Sequence, residues 1–322
     1  MNTRKFTRRQ VLAHTGLLVG TAVAGKKLSA APTVSTSSAP DPKRPFRFCL
    51  NTATIRGQKL GIVEEIAIAS KAGYDGIEPW VDAIEEYVKS GGALKDLKRR
   101  VDDSGLAVES AIGFPEWIVD DDARRAKGLE QAKREMDLVS QIGARRFAAP
   151  PAGATDTPGL DLRKATERYR ALLEAGEKIG VVPQLELWGF SRNLHYLGEC
   201  VGVAVDTGHP KACVLADVFH LYKGGSDFRG VHLLGPDAIQ VLHMNDYPAN
   251  PPREKIDDGY RVFPGDGSAP ISEILRTLHG TGGQKVLSLE LFNKQYWSQK
   301  ALTVAKNGLA KMKTAVADAQ RG

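Results

Sequence analysis

Side chains that can bind a metal follow four short apolar runs in the second half of the chain. The runs end in Glu186, Asp217, His243 and Glu290. Each run has the length and apolar content of a buried parallel strand. Because the carboxyl ends of the strands in a parallel barrel open on one face, we expect the four side chains to converge there. The pattern therefore predicts one site built by four strands.

The residue types in this set indicate which metal the site would hold. Hard divalent cations prefer carboxylate oxygens, and Mn²⁺ accepts an imidazole more readily than Mg²⁺ does. We therefore expect one divalent ion, with Mn²⁺ as the first choice and Mg²⁺, Co²⁺ or Zn²⁺ as alternatives. The set contains no thiolate, which argues against a structural zinc site. A solvated glutamate or a structural histidine would explain any one position, but four matching strand ends favour a metal site.

Two of these residues also have the chemistry to move protons. A divalent cation bound to a carbonyl and its neighbouring hydroxyl acidifies the C–H between them and stabilises an enediolate. Glu186 and Glu290 lie on strands three apart in the predicted barrel, so they can approach a planar intermediate from opposite sides. Proton removal and return give epimerisation or isomerisation. Loss of a β-hydroxyl or β-alkoxyl group would instead give dehydration or elimination, and the sequence leaves this choice open.

Other residues near the predicted strand ends are candidates for substrate contacts. His220 is expected on the loop just beyond the sixth strand, and Glu78 ends the second strand. Trp188 could stack on a sugar ring, although aromatic residues at a barrel rim are nearly as often packing residues. The weaker candidates of the same kind are Asn51, Trp80 and Phe114.

Alternating strand and helix patterns over residues 46–322 predict the scaffold that positions these residues. Eight βα units begin with a strand at 46–50 and end with a helix at about 299–318, and one charged helix is expected over 82–104. A doubly wound sheet is the competing α/β architecture. The eight short units and the absence of a GxGxxG turn favour a (β/α)8 TIM barrel.

The first 31 residues have the pattern of a secretory signal. Arg8 and Arg9 precede an apolar segment at 17–24, and small residues follow at 29–31. The paired arginines are typical of a twin-arginine signal, with an ordinary Sec signal or an uncleaved anchor as the alternatives. The apolar segment is too short to span a bilayer, so we expect no stable membrane insertion after cleavage. The protein is therefore expected in the periplasm or outside the cell, with residues 32–45 as a flexible linker.

Charge and cysteine usage exclude some classes of function. Residues 1–31 hold 6 of the 44 basic residues and no acidic one, which leaves 38 basic residues against 38 acidic residues. This neutral body argues against a nucleic-acid partner, and 7 histidines are few for a multi-zinc endonuclease. The 3 cysteines show no CxxC spacing and are expected to be small buried side chains, with one disulfide as the alternative.

The chain resembles the sugar isomerase and epimerase families of the xylose-isomerase-like barrel superfamily, over roughly residues 45–315. Within it, the chain is most similar to the branch of tagatose and psicose 3-epimerases and inosose isomerases or dehydratases. The motifs that carry the resemblance are Glu186 in Leu-Glu-Leu-Trp, the pair Asp217-x-x-His220, His243, Arg261-x-x-Pro264-Gly265-x-Gly267, and Glu290. The resemblance implies a carbohydrate substrate and allows a homo-oligomer.

The resemblance also implies roles for individual residues. It implies metal binding by Glu186, Asp217, His243 and Glu290, proton exchange by the two glutamates, and contacts from His220 and Arg261 to substrate oxygens. The segment after Glu186 lacks the Pro and second Glu of tagatose-type epimerases, and the loop at 247–260 is longer. These departures argue against a simple free-ketose 3-epimerase.

The leading expectation is therefore a metal-dependent isomerase or epimerase of a sugar or keto-sugar. A lyase or dehydratase acting on an oxidised (3-keto) sugar or glycoside is the alternative. An endonuclease and a non-catalytic sugar-binding barrel remain as less favoured classes.

Overall fold

The computed structural model describes residues 44–322, so the predicted signal peptide and the linker up to residue 43 lie outside the described residues. Eight strands alternate with helices through this part of the chain. The strands are β1 Phe46–Asn51, β2 Gly76–Glu78, β3 Ala107–Val108, β4 Arg146–Ala149, β5 Val182–Glu186, β6 Val214–Asp217, β7 Val241–Met244 and β8 Lys285–Leu289.

Ten α-helices and three 3-10 helices connect and cover the strands within residues 44–322. The α-helices are α1 Ile62–Ala72, α2 Val81–Lys89, α3 Leu94–Asp103, α4 Asp122–Ser140, α5 Leu162–Ile179, α6 Leu197–Asp206, α7 Val218–Gly224, α8 Ile271–Gly280, α9 Lys294–Trp297 and α10 Ala301–Arg321. The 3-10 helices are Thr52–Gln58, Phe228–Leu233 and Asp258–Tyr260.

The strands form one parallel sheet in the order β3-β2-β1-β8-β7-β6-β5-β4. The edges of this sheet meet through the segment that follows β3. The Ala111 amide donates to the carbonyl of Arg146 at 3.1 Å, and the Ala148 amide donates to the carbonyl of Ala111 at 2.9 Å. The prediction of a TIM barrel is therefore confirmed, and the doubly wound alternative is wrong.

The register of the strands brings the polar strand ends into one layer. Asn51 pairs with Glu78, and His243 pairs with both Asp217 and Ser288. Side chains two residues apart on a strand share a face, so the residues two positions earlier lie below this layer. Several of them belong to a small buried apolar cluster directly beneath this layer: Cys49, Ile112, Ala148, Leu215, Val241 and Val286.

The single charged helix predicted over residues 82–104 is wrong, because the chain forms α2 and α3 there. Two glycines separate the helices. Gly91 has a φ of 94°, and a Cβ on Gly92 would lie 2.4 Å from the ring of Tyr87. The left-handed backbone favours glycine at position 91, and the Tyr87 ring leaves little room for a side chain at position 92.

The prediction of a loop position for His220 is also wrong, because His220 lies in α7. Asp217 caps this helix, and its Oδ1 accepts the His220 amide at 2.9 Å. An aspartate at a helix N-cap satisfies one of the free amides of the first turn. Asp217 therefore ends β6 and starts the helix that carries His220.

Two further predictions concern the whole described part of the chain. Cys49, Cys200 and Cys213 are free and buried, as expected for small apolar side chains. Between residues 44 and 322, the helices are all too short or too polar to cross a membrane.

Candidate metal centre and active site

Three of the four predicted metal ligands form a tight cluster at the carboxyl ends of the strands. Asp217, His243 and Glu290 each offer one ligand atom, and these atoms all lie within 4.8 Å of one another. All three residues are buried, with at most 4% of their surface exposed. The fourth predicted ligand, Glu186, lies beside this cluster, with its Oε1 at 3.7 Å from His243 Nδ1.

Glu78 fixes the orientation of the His243 ring from behind. Glu78 Oε2 lies 3.1 Å from His243 Nε2 and accepts hydrogen bonds from Ser288 Oγ at 2.6 Å and Asn51 Nδ2 at 3.0 Å. Burial opposes ionisation of Glu78, but His243, Ser288 and Asn51 hold its pKa below the usual value. An ionised carboxylate only accepts hydrogen bonds, so Nε2 carries the proton and Nδ1 faces the cluster.

The surroundings of His243 Nδ1 fit a divalent cation. This nitrogen lies 3.1 Å from Glu290 Oε2 and 3.7 Å from Asp217 Oδ2. It is a buried atom for which residues 44–322 supply no well-aligned hydrogen-bond partner. Burial lowers the pKa of His243, but Glu290 and Glu78 raise it well above the ordinary value. The negative charge that holds a proton here would also stabilise a bound divalent ion.

The two glutamates of the site differ in their affinity for a proton. Burial, Glu290 and Asp217 raise the pKa of Glu186 to about 8, although His243 opposes this shift. Burial acts in the same direction on Glu290, but His243 and Arg261 keep its pKa below the usual value. Such a separation gives two neighbouring carboxyl groups different protonation states at neutral pH.

Arg261 is fully buried and connects Asp217 and Glu290 of the cluster with His220. Its Nη1 donates to Asp217 Oδ2 and Glu290 Oε2, each at 2.8 Å. Its Nη2 lies 3.0 Å from His220 Nε2, and its Nε donates to Asp258 Oδ1 at 3.0 Å. These contacts compensate the charge of the guanidinium, which would otherwise be costly to bury.

A turn held by Asp246 positions the segment that carries Arg261. Its carboxylate accepts hydrogen bonds from the amides of Tyr247, Gly265, Gly267 and Ala269. Gly265 has a φ of 86°, and a Cβ on Gly267 would lie 2.3 Å from Asp246 Oδ1. The two glycines of the Arg261-x-x-Pro264-Gly265-x-Gly267 motif are therefore needed for the backbone to wrap this carboxylate.

A cavity of about 150 Å³ opens above the cluster. Three of the predicted substrate contacts, Trp188, His220 and Arg261, line it together with Glu186 and Glu290. The fourth, Glu78, lies behind His243 and is fully buried. Glu78 therefore contacts the imidazole of His243 rather than the cavity, whereas Trp188, His220 and Arg261 line the cavity.

Several residues of this site were missed by the sequence analysis. Asp258, Phe190 and Phe292 line the cavity. Asn245 Nδ2 donates to Asp217 Oδ2 at 3.0 Å, and Asn245 Oδ1 accepts the Phe219 amide at 2.9 Å. Asn245 has the same strand-end position as the predicted ligands, two residues after His243, and this position was the available signal. Asp258 begins the short 3-10 helix that interrupts a long loop, and it had no such signal.

A larger groove of about 760 Å³ lies away from this site, between α6 and the 3-10 helix Phe228–Leu233. Its walls are mostly apolar, and none of the clustered metal ligands reaches it. Because chemistry needs convergent polar groups, we place the functional site at the smaller cavity.

Known proteins resemble the chain over most of the described barrel. A family described as Xylose isomerase-like TIM barrel matches residues 66–315. An inosose isomerase from Halalkalibacterium halodurans is 25% identical over 273 residues, which cover 81% of this chain and 94% of that protein. A solved structure of IolI protein with a binding zinc atom has a TM-score of 0.79 at 20% identity, and covers 84% of this chain and 98% of that one. This last likeness shows the fold.

One relative is a different kind of enzyme and a much longer protein. A 3-dehydroshikimate dehydratase from Pseudomonas putida is 24% identical over 247 residues. The match covers 76% of this chain but 38% of the dehydratase, so the chain spans well under half of that relative's length.

Proposed function

Because the chain belongs to the family of xylose isomerase-like TIM barrels, we propose that it is a divalent-metal-dependent isomerase or epimerase of a sugar or keto-sugar. The observation that carries the proposal is the buried His243 Nδ1, which lies among the carboxylates of Asp217 and Glu290 and has no well-aligned hydrogen-bond partner within residues 44–322. The similarity to an inosose isomerase supports the reaction class.

The proposed ligands are Asp217 Oδ2, His243 Nδ1 and a carboxylate oxygen of Glu290, with Glu186 as the fourth. A divalent cation bound there would act as a Lewis acid on a carbonyl and its neighbouring hydroxyl. Mn²⁺ stays our first choice, because the set combines three carboxylates with one imidazole. His220 and Arg261 line the cavity beside the cluster and are proposed to hold substrate oxygens.

Glu186 and Glu290 are the proposed proton carriers. Both carboxylates line the cavity, and they approach His243 Nδ1 from β5 and from the end of β8. Glu290 would remove the proton next to the substrate carbonyl, and Glu186 would return one from the other side of an enediolate. Arg261 donates to Glu290 and thereby holds this carboxylate in place.

Dehydration is the second candidate, favoured by the similarity to a 3-dehydroshikimate dehydratase. The same glutamates would remove the proton, and the intermediate would then expel a β-hydroxyl or β-alkoxyl group. An oxidised (3-keto) sugar or glycoside is the proposed substrate of this reaction.

One NMR experiment tests the step that both reactions share. The Mn²⁺-loaded protein is incubated in D₂O with candidate ketoses and 3-keto-glycosides, and deuterium is expected at the carbon next to the carbonyl. Isomerisation and epimerisation keep every hydroxyl group, whereas elimination gives an unsaturated sugar or a released aglycone. The product therefore separates the two candidates.

The glutamate variants identify the groups that move the proton. Glu186→Gln and Glu290→Gln, each saturated with metal, should slow exchange by about 10²–10⁴. Glu135→Gln is the matched control, because Glu135 is a buried glutamate of α4 outside the metal cluster. His220→Ala should slow exchange less than the glutamate variants, because one substrate hydrogen bond contributes about 1–3 kcal/mol. Undiminished exchange in both glutamate variants would show that other groups carry the proton.

The cellular location is a separate proposal. The twin-arginine pattern around Arg8 and Arg9 supports export of the folded protein to the periplasm or beyond. This route would allow the barrel to bind its metal before export.

A further inference from the structure

A nearly continuous arc of aromatic rings surrounds the mouth of the catalytic cavity. Trp80 contacts Phe292 and Phe114 at centroid distances of 6.0 and 5.1 Å. Trp188 contacts Phe114 at 5.9 Å and Phe190 at 5.2 Å. The arc then reaches the imidazole of His220, which lies 5.6 Å from Phe190. We call the five rings Phe292, Trp80, Phe114, Trp188 and Phe190 the aromatic collar.

The collar and the floor of the cavity differ in polarity and in exposure. The polar lining residues of the floor are almost completely buried: Glu186, His220, Arg261 and Glu290 have 0–4% of their surface exposed. The outer part of the collar is open to solvent, with Phe114 39% and Phe190 48% exposed. The polarity of the lining therefore decreases from the candidate metal ligands to the mouth of the cavity. Asp258 is a further polar residue of this lining.

Exposed phenylalanine rings next to a polar site need a physical explanation. Isolated exposed apolar residues are ordinary, but contiguous apolar surface at a cavity mouth is typical of a binding site. A single sugar ring presents one C–H face to an aromatic side chain and surrounds it with hydroxyl groups that need polar partners. The exposed part of the collar, Phe114 and Phe190, offers such hydroxyl groups few hydrogen-bond partners. It would instead bury an apolar group.

We propose that the substrate is an amphipathic conjugate, in which a hydroxyketone or keto-sugar head is joined to an aromatic group. The head reaches the floor, and the aromatic group lies between Phe114 and Phe190 in the collar. This inference rests on the proposed function for the chemistry of the head. The collar alone supports the aromatic group, because offset and edge-to-face ring contacts are favourable.

Matched pairs of small ligands test this substrate class directly. Isothermal titration of the Mn²⁺-saturated full chain compares hydroxyacetone with α-hydroxyacetophenone, and methyl β-glucoside with phenyl β-glucoside. Within each pair the head is the same and only the aromatic group differs. We expect the aryl ligand of at least one pair to bind about tenfold more tightly or better, which corresponds to about 1.4 kcal/mol.

The collar variants show whether Phe114 and Phe190 cause this preference. The double substitution Phe114→Ala/Phe190→Ala should remove the preference, so that the aryl and methyl ligands of the same pair bind with equal affinity. Phe114→Leu/Phe190→Leu, which keeps apolar bulk, serves if the alanine variant does not fold. Leu233→Ala is the matched control, because Leu233 is 78% exposed and lines the separate groove.

Each outcome of this experiment decides something. Equal affinity within both pairs, or a preference that survives the double substitution, would overturn the inference. Aryl preference without any deuterium exchange in the substrates tested would support the collar and count against the proposed chemistry. Deuterium exchange with free ketoses, together with equal affinity for aryl and methyl ligands, would support the proposed chemistry and count against the collar as a site for an aromatic group.

Discussion

Glu78 Oε2 and His243 Nε2 lie 3.1 Å apart and connect β2 with β7 across two intervening strands of the barrel. These intervening strands, β1 and β8, contribute to the same atom. Asn51 at the end of β1 and Ser288 in β8 both donate to Glu78 Oε2. One carboxylate oxygen therefore connects four neighbouring strands in the geometry that directs His243 Nδ1 towards Asp217 and Glu290.

The first prediction concerns this positioning role of Glu78. Glu78→Gln should weaken metal binding about 10- to 100-fold, as expected when the hydrogen-bond partner of a ligating histidine is removed. The amide keeps the volume of the carboxylate but removes its charge, and it can no longer enforce a proton on Nε2. Competition titration with a fluorescent chelator measures the affinity. Glu135→Gln, at another buried glutamate, should leave the affinity unchanged. An unchanged affinity in Glu78→Gln would show that the His243 ring is oriented by other contacts.

The second prediction concerns the metal itself. Protein purified without chelator should contain close to one divalent ion per chain, as measured by elemental analysis. Chelation should lower the melting temperature, because a ligand at 100 times its dissociation constant stabilises the native state by about 2.7 kcal/mol. Glu290→Gln should bind the ion more weakly, since it replaces a charged oxygen ligand by a neutral one. Protein without metal, and without gain of stability on adding Mn²⁺, would refute the site.

The strand ends could be predicted because their signals are local. An apolar run followed by a carboxylate or an imidazole identifies both the strand and the side chain that emerges from it. Because side chains alternate along a strand, Asp217 and His243 share the inner face with Leu215 and Val241 two positions earlier. The ends of α1 and α5 have a local signal of the same kind, because Gly73 and Gly180 follow these helices with φ of 93° and 90°.

The role of Glu78 could not be predicted from its position alone. Its partner His243 lies 165 residues away, and only the closed barrel brings the two together. A glutamate at a strand end looks the same in sequence whether it faces the substrate or another side chain. Asp258 was missed because nothing in the sequence indicates that its loop reaches the cavity, although its partner Arg261 lies only three residues further along the chain. The break between α2 and α3 was missed for a different reason, because the two consecutive glycines that cause it, Gly91 and Gly92, are visible in the sequence.

The third prediction concerns export. Replacing Arg8 and Arg9 together with Lys should leave the precursor in the cytoplasm, because the arginine pair itself is recognised by the export machinery. Cell fractionation followed by immunoblotting measures the distribution. Arg4→Lys is the matched control in the same basic segment, and its export should be normal. Normal export of the double variant would reject the twin-arginine interpretation.

The last prediction concerns Glu65, a buried glutamate of α1 that lies outside the proposed site. Only 5% of its surface is exposed, and its Oε2 has no hydrogen-bond partner among residues 44–322. Burial raises its pKa from 4.5 to about 7, although Arg56 opposes the shift. Because the folded value is the higher one, the unfolded chain loses this proton first as the pH rises. Stability should therefore fall between these two pKa values and stay reduced above them.

Glu65→Gln removes this titration and keeps the shape of the side chain. The variant should differ little from the wild type near about pH 4 and become more stable than it near about pH 8. The gain should not exceed about 3 kcal/mol, the limit set by the size of the pKa shift. Urea denaturation at both pH values measures the free energy of unfolding. Glu64→Gln, at the exposed neighbouring position, should change the free energy of unfolding by a similar small amount at both pH values. A difference between Glu65→Gln and the wild type that does not grow with pH would show that Glu65 ionises normally in the folded protein.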